Sequence, residues 1–378
     1  MNYQFWYHPY FGRQHLHTIL ENYSNADIKE FGKDLIDTNK INLIAFYWEN
    51  KLVNSNKIIN TEKFAKILKQ INFFGFYLIA DFSGEASNGY IDNVIRNNLY
   101  VISNNFNINR FLIIENNFEI LNAKEIEYGN YKIKTIHLPY FILSTPLYMK
   151  DYIHDLSEYK NIKKKKDFIC LNRRVKKHKF LFLRELYNRN LINNTYWTYV
   201  SNYVQEDLFK EGTFTKDVGL VFEDFKPIQL QDDVYYGVEL DYKDEFLYTI
   251  NPKWYFESKV NLVVETYNYS PCHITEKVFK PIYLGIPFVV YSSKNYLEKL
   301  RNFGFKDYTS IIGEYDCNNI TSVIDAGIRL KNIFDSSEVI EISEYNKSLI
   351  NDTEFLNKIL NDTFYQQLGS ITKNKKIL

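Results

Sequence analysis

The stretch KVNLVVET, residues Lys259–Thr266, is an apolar run that ends at a carboxylate, Glu265. Its length and its valines are typical of a buried strand. The stretch TEKVFKP, Thr275–Pro281, follows after a loop, and Thr275 is a residue type that caps helix N-termini well. Another apolar run lies at 287–291. A strand, a helix and a further strand in this order predict a parallel α/β sheet.

The same alternation extends over both halves of the chain. Predicted strands lie at 42–48, 76–80, 110–114, 168–171, 195–200, 218–222 and 259–264, and predicted helices at 61–71, 176–190 and 295–303. Continuous apolar strands separated by helices are typical of parallel sheets that are covered on both faces. The predicted fold class is therefore α/β, with two Rossmann-like domains that face a cleft.

A change of composition near residues 145–166 predicts the boundary between these domains. Lys163–Lys166 is a run of lysines just before the strand at 168–171. We interpret this run as a solvated linker, and the alternative is a basic patch for phosphate or for a membrane surface. The predicted domains span 1–155 and 166–350, and a polar helical tail spans 351–378.

The composition of the 378 residues is that of a globular protein, with 45% hydrophobic and 24% charged residues. The formal net charge is zero, which argues against a general affinity for nucleic acid. The three cysteines form no CxxC pair, so neither a zinc site nor a disulfide framework is indicated. Because no stretch approaches the roughly 18 apolar residues of a membrane span, we expect a cytoplasmic protein.

The helix that begins near Thr275 carries residues that suggest a ligand. Glu276 lies in the first turn, where the helix dipole favours an anion, and a plain helix cap would account for both residues. Lys277 is unfavourable at this end of a helix unless it has an anionic partner. A diphosphate would supply that partner, because backbone N–H groups bind its oxygens and the ammonium adds a charge. The segment is therefore a candidate nucleotide-diphosphate site.

The stretch KVNLVVET…ITEKVFKPIYLGIPFVVYSS resembles the donor-site signature of the family 10 fucosyltransferases. Members of that family carry a strand ending in Phe-Glu-Asn, a short loop, Thr-Glu-Lys, a helix and a proline-containing strand. Glu265 matches the glutamate at the strand end, and Thr266 stands where the family has asparagine. After Thr275, Glu276 and Lys277 match the pair that binds ribose and phosphate. The resemblance implies a GT-B arrangement of the two domains.

A second stretch is similar to the same family. Phe168–Arg174 reads as a strand and a turn, and a helix with a Phe/Leu face begins after it. The family has a basic residue at this helix start that contacts the donor diphosphate. Lys179 is the nearest match by register, while Arg173 and Arg174 are rivals, since arginine can bind a phosphate bidentately. The alternative is a solvated basic turn, and His178 in this turn is a further candidate for phosphate contact.

A third stretch, Ser83-Gly84-Glu85, resembles a Thr-Gly-Glu segment in the first domain of that family. The resemblance implies that Glu85 is the general base of an inverting transfer, with Asp81 as the fallback. The base takes the proton of the acceptor hydroxyl while that hydroxyl attacks the anomeric carbon. Cations then stabilise the departing diphosphate, so the scheme needs no metal ion. We interpret Asp232-Asp233 as a surface turn.

The favoured hypothesis is an inverting, metal-independent glycosyltransferase without a cofactor, for which the resemblance implies GDP-fucose as the nucleotide-sugar donor. The domain 1–155 would hold the acceptor, a glycan or a glycolipid, and 166–350 would bind the donor. A glycolipid acceptor is compatible with peripheral membrane contact, and the lack of an anchor suggests a bacterial or viral origin, phage included. The alternative is a non-catalytic nucleotide- or glycan-binding module. Nucleic-acid binding through the basic stretch 163–179 is disfavoured by the neutral net charge.

Overall fold

The structure is a computed structural model that describes most of the chain. The described residues are 3–9, 15–47, 61–83, 99–116, 124–128, 130–152, 156–159, 161–172, 176–199, 252–268 and 272–372. Glu85, Arg173, Arg174, Asp232-Asp233 and the predicted strand at 218–222 lie outside these residues. The chain divides into two compact units, Met1–Ser144 with Thr353–Leu378, and Thr145–Asp352. The domain bounds 1–155, 166–350 and 351–378 stay predictions of the sequence.

The first unit is built on a mostly parallel sheet. Its described strands are β1 (Tyr3–Tyr7), β2 (Ile28–Glu30), β3 (Ile41–Tyr47), β4 (Tyr77–Phe82), β5 (Phe111–Glu115), β6 (Lys124–Tyr128) and β7 (Tyr131–His137). Their order is β2-β1-β3-β4-β5-β7-β6, and only β6 and β7 pair antiparallel among them. The first five strands follow the order of a doubly wound sheet. Sequence reasoning missed β6 because this edge strand lacks a continuous apolar run.

The second unit contains a smaller parallel sheet. Its described strands are β8 (Lys166–Asn172), β9 (Thr195–Tyr199), β10 (Ser258–Val264) and β11 (Phe288–Tyr291), in the order β11-β10-β8-β9. Every pair in this order is parallel. The α/β class that the sequence predicts is therefore confirmed in both units.

Helices connect the strands of both units. The described α-helices are α1 (His15–Ser24), α2 (Thr61–Phe73), α3 (Tyr140–Tyr152), α4 (Lys177–Asn188), α5 (Pro252–Glu257), α6 (Glu276–Leu284), α7 (Tyr296–Asn302), α8 (Thr309–Ile312), α9 (Ile320–Asn332), α10 (Ser337–Ile350), α11 (Thr353–Leu360) and α12 (Gln366–Thr372). Residues 99–105 are also helical, 3₁₀ turns lie at Ile108–Arg110, Ser157–Tyr159 and Ile192–Asn194, and a π-helix spans Asn361–Tyr365. Within the described residues, none of the helices is long and apolar enough to cross a membrane.

Helices cover both faces of the smaller sheet. Phe168 and Ile169 are neighbours on β8, so their side chains point to opposite faces. Ile169 belongs to a buried cluster with Tyr255 of α5 and Leu284 of α6. Phe168 lies on the other face, beside Gly327 of α9. The strand is therefore buried from both sides, as a continuous apolar run predicts.

The lysine run before β8 has a structural role. Lys164 Nζ donates a hydrogen bond to Ser258 O (2.8 Å), and Lys166 Nζ donates one to Asn193 O (2.7 Å). Lys165 Nζ forms an ion pair with the buried Glu257 at 2.5 Å. Besides being partly or fully exposed to solvent, these three residues hold the start of β8 to its neighbours, and the interpretation of the run as a linker stays a prediction.

Gly327 allows α9 to lie close to β10. A Cβ atom at this position would lie 2.8 Å from Leu262 Cδ2, which is buried, whereas a Cβ atom at Gly369 of α12 would meet only Tyr3 Oη, at 3.7 Å. We predict that Gly327→Ala is less stable than the matched control Gly369→Ala by about 1–3 kcal/mol, the usual cost of overpacking. Denaturant unfolding measures the difference, and equal free energies of unfolding would contradict the prediction.

Candidate functional site

The candidate site lies at the carboxyl edge of the smaller sheet, where β8 and β10 are neighbours. β8 leads through α4 to β9 on one side, and β10 leads through α6 to β11 on the other. In a doubly wound sheet, ligands bind where the strand order changes direction in this way. Backbone N–H groups at helix N-termini collect at the same edge and attract anions.

Glu265 fixes the start of α6 to the end of β10. Its side chain is fully buried. Its Oε1 accepts hydrogen bonds from Thr275 N (3.1 Å) and Tyr296 Oη (2.7 Å), and its Oε2 accepts one from Thr275 Oγ1 (2.6 Å). Such hydrogen bonds to a carboxylate are stronger than those between neutral groups. Sequence analysis placed Glu265 among the donor-binding residues, which stays a prediction; in this geometry Glu265 sets the position of Thr275.

Thr275 is the N-cap of α6, and this part of the prediction is confirmed. Its backbone is extended, with φ at −116°. While its Oγ1 donates to Glu265, the same atom accepts a hydrogen bond from Lys277 N (3.3 Å). One side chain therefore satisfies a backbone N–H group of the first turn and joins the helix to the buried carboxylate.

Glu276 and Lys277 form an ion pair with each other. Lys277 Nζ lies 2.9 Å from Glu276 Oε1 and donates a further hydrogen bond to Thr275 Oγ1 (3.1 Å). Burial works to raise the pKa of Glu276, but the Lys277 and Lys280 cations outweigh it and lower that pKa to about 2. The argument that Lys277 lacks an anionic partner unless a ligand supplies one is therefore wrong, because Glu276 is such a partner.

Among the described residues of this region, Lys179 is a buried lysine without an ion-pair or hydrogen-bond partner. It is only 2% exposed. Across the part of the chain that the structure describes, its ammonium group donates no hydrogen bond and forms no ion pair. Burial, together with the nearby Lys277 and Lys176 cations, lowers its pKa to about 7, although Glu276 and Glu265 act in the opposite direction. A buried cation of this kind needs an anion or must lose its proton.

His178 has a structural role that differs from the predicted one. Its Nε2 lies 3.0 Å from Glu265 O, and since a carbonyl oxygen only accepts, the ring donates this hydrogen bond. Burial lowers the pKa of His178 to about 4, so the imidazole is neutral at neutral pH. A neutral ring does not attract a phosphate by its charge, so this charge gives no support to the prediction that His178 contacts phosphate. It ties the first turn of α4 to the end of β10.

Lys176 is a residue that sequence analysis did not single out. It is the N-cap residue of α4, and its Nζ lies 3.7 Å from the centre of the Tyr267 ring. A cation over an aromatic face is held by the ring quadrupole. Its location in the run Lys176–Lys179 was the available signal, but the run alone does not say which lysine lies against Tyr267.

The carboxylates predicted for catalysis belong to the first unit. Asp81, the fallback base, is fully buried. Its Oδ2 accepts a hydrogen bond from Leu16 N (3.3 Å), and its Oδ1 accepts two, from Ser83 N (3.0 Å) and Ser83 Oγ (2.6 Å). Asp81 thus holds the start of α1 and the end of β4, and it is poorly suited to take a proton from an acceptor. Glu85, the predicted base, lies outside the described residues, as do Arg173 and Arg174.

Comparison with known protein families and with curated proteins finds no match. The likeness to the fucosyltransferases therefore depends on the residues of the three quoted stretches. Among the described residues, no group of three or more histidine, cysteine, aspartate or glutamate side chains is arranged to hold a metal ion. The site as the structure describes it consists of Glu265, Thr275, Glu276, Lys277 and Lys179, with Lys176 added.

We predict that Glu265→Ala lowers the free energy of unfolding by about 3 kcal/mol, because Thr275 N and Tyr296 Oη lose their acceptor inside the protein. Chemical denaturation of the variant measures this loss. The control is Glu298→Ala, since Glu298 is exposed on α7 and a surface change of this kind stays within about 0.5 kcal/mol. A Glu265 variant as stable as the control would show that the carboxylate does not hold the site together.

Proposed function

We propose that the chain is an inverting glycosyltransferase whose second unit binds the diphosphate of a nucleotide sugar at the starts of α4 and α6. The observation that carries the proposal is the buried Lys179 ammonium, which has no hydrogen-bond or ion-pair partner among the described residues. A diphosphate would compensate it, because phosphate oxygens carry the charge that the site lacks. The N–H groups at the start of α6 would bind further oxygens.

The position of the site favours a nucleotide over other anions. The strand order reverses between β8 and β10, and doubly wound sheets bind nucleotides at such a point. GDP-fucose is the donor that the resemblance implies. A GT-B arrangement, in which two Rossmann-like domains face a cleft, belongs to the same proposal. A cytoplasmic location and a bacterial or viral origin stay predictions of the sequence.

The proposed reaction uses one base and several cations. Glu85 would accept the proton of an acceptor hydroxyl, on a glycan or a glycolipid, while that oxygen attacks the anomeric carbon of the sugar. The bond from this carbon to the diphosphate breaks, and the diphosphate leaves with the electron pair. Lys277 and Lys179 would stabilise the negative charge that develops on it. This scheme assigns the stabilisation to side chains of the protein, without a metal ion or a cofactor.

A panel of nucleotide sugars tests the donor. We expect one of them to bind, and at 100 times its dissociation constant to raise the free energy of unfolding by about 2.7 kcal/mol. Lys277→Ala should weaken that binding roughly 10- to 100-fold, or about 1.4–2.7 kcal/mol, through loss of a phosphate contact. The control is Lys163→Ala, because Lys163 lies before the amino end of β8, at the opposite edge of the sheet. Binding that the Lys277 variant retains in full would contradict the site.

Glu85→Gln separates the transferase from the non-catalytic module. In a transferase the variant keeps the affinity for the donor and loses turnover, which is followed as release of the nucleoside diphosphate. A wild-type chain that binds a nucleotide sugar but neither hydrolyses nor transfers it would favour the module. The absence of binding by every nucleotide would overturn both.

A further inference from the structure

Several charged groups face the Lys179 side chain from the elements around it. Lys277 and Glu276 belong to the start of α6, Lys176 to the start of α4, and Glu265 to the end of β10. Cys170 of β8 also interacts with Lys179, but burial raises the pKa of its thiol to about 12. Glu276 and Glu265 are already engaged by Lys277, Thr275 and Tyr296. Both carboxylates favour the charged form of Lys179, but neither forms an ion pair with it among the described residues.

A third ammonium group in this place is unfavourable without a bound anion. It is buried, and two other lysines lie near it, so that both desolvation and like charge favour the neutral amine. The pKa of Lys179 near 7 reflects these two causes in that order. At pH 8 the amine is therefore mostly neutral. Without a bound anion, this part of the protein then holds one positive charge fewer than its three lysines suggest.

We propose that an incoming diphosphate binds together with a proton, which passes from the solvent to Lys179 Nζ. The inference rests on the diphosphate site of the proposed function and adds a ligand class and a pH dependence to it. The ligand class is a diphosphate, because two linked phosphate groups offer enough charged oxygens to face Lys179 and Lys277 at once. Protonation completes the site only when such a ligand is present, so affinity falls as the solution becomes alkaline.

Three other titratable groups near Lys179 have pKa values far from the pH range in which the affinity should change. The pKa of Glu276 is held near 2 and that of His178 near 4, both well below neutrality. The pKa of the Cys170 thiol lies near 12. Of Glu276, His178, Cys170 and Lys179, Lys179 is the one with a pKa near neutrality.

Calorimetric titration at pH 8 tests the inference. The probes are GDP and methyl diphosphate, which carries two phosphate groups without a nucleoside. In two buffers with different enthalpies of ionisation, the heats should differ by an amount that corresponds to most of one proton taken up per ligand. The dissociation constant should rise roughly tenfold between pH 8 and pH 9. Heats that do not depend on the buffer, with a flat affinity profile, would overturn the inference.

Two variants keep the test specific to Lys179. Lys179→Arg carries its charge throughout this pH range, so the proton uptake should vanish while binding remains. Lys179→Met should lose both the proton uptake and most of the affinity. The matched control is Arg184→Met on the exposed side of α4, which should behave as the wild type. Proton uptake that persists in either Lys179 variant would assign the effect to another group and contradict the inference.

The outcomes separate this inference from the proposed function. Methyl diphosphate bound with proton uptake, while no nucleotide binds, would support the inference and contradict the proposed function. GDP bound without proton uptake would contradict the inference alone. No binding of either probe would contradict both.

Discussion

The buried carboxylate of Glu265 is the interaction on which the candidate site depends. It accepts hydrogen bonds from Thr275 N, Thr275 Oγ1 and Tyr296 Oη, while its backbone carbonyl accepts one from His178. One residue at the end of a central strand thus holds the starts of two helices and a side chain of a third. Because these partners are buried or partly buried, loss of the carboxylate would leave Thr275 N, Thr275 Oγ1 and Tyr296 Oη without their acceptor at once.

This arrangement explains how the fold holds several lysine side chains near one another although their charges repel. Lys277 is held by Glu276 and Thr275, and Lys176 lies against Tyr267, so both are placed before any ligand arrives. Lys179 is different because the fold buries it without a counterion among the described residues. Sites prepared for charge in this way bind a ligand without much rearrangement, which is the basis of electrostatic preorganisation.

The sequence predicts the features that depend on local patterns. Apolar runs located β8 and β10, and Thr275 was recognised as a cap because its hydroxyl lies just before a helical pattern. The partnership of Glu265 with Tyr296 was not predictable, since 31 positions separate them and no local pattern joins them. The Glu276–Lys277 ion pair was missed for another reason. Adjacent residues of a regular helix point apart, but the first turn lets these side chains meet.

The first unit is discontinuous along the chain, since it joins Met1–Ser144 to Thr353–Leu378. Its last segment is not peripheral: Phe364 and Leu368 are fully buried, and Gln367 Oε1 accepts a hydrogen bond from His137 N at the end of β7. During synthesis the ribosome releases the whole second unit before this segment emerges. The unit translated first is thus the one completed last, and its sheet lacks the C-terminal helices in the interval, when exposed apolar surface favours aggregation.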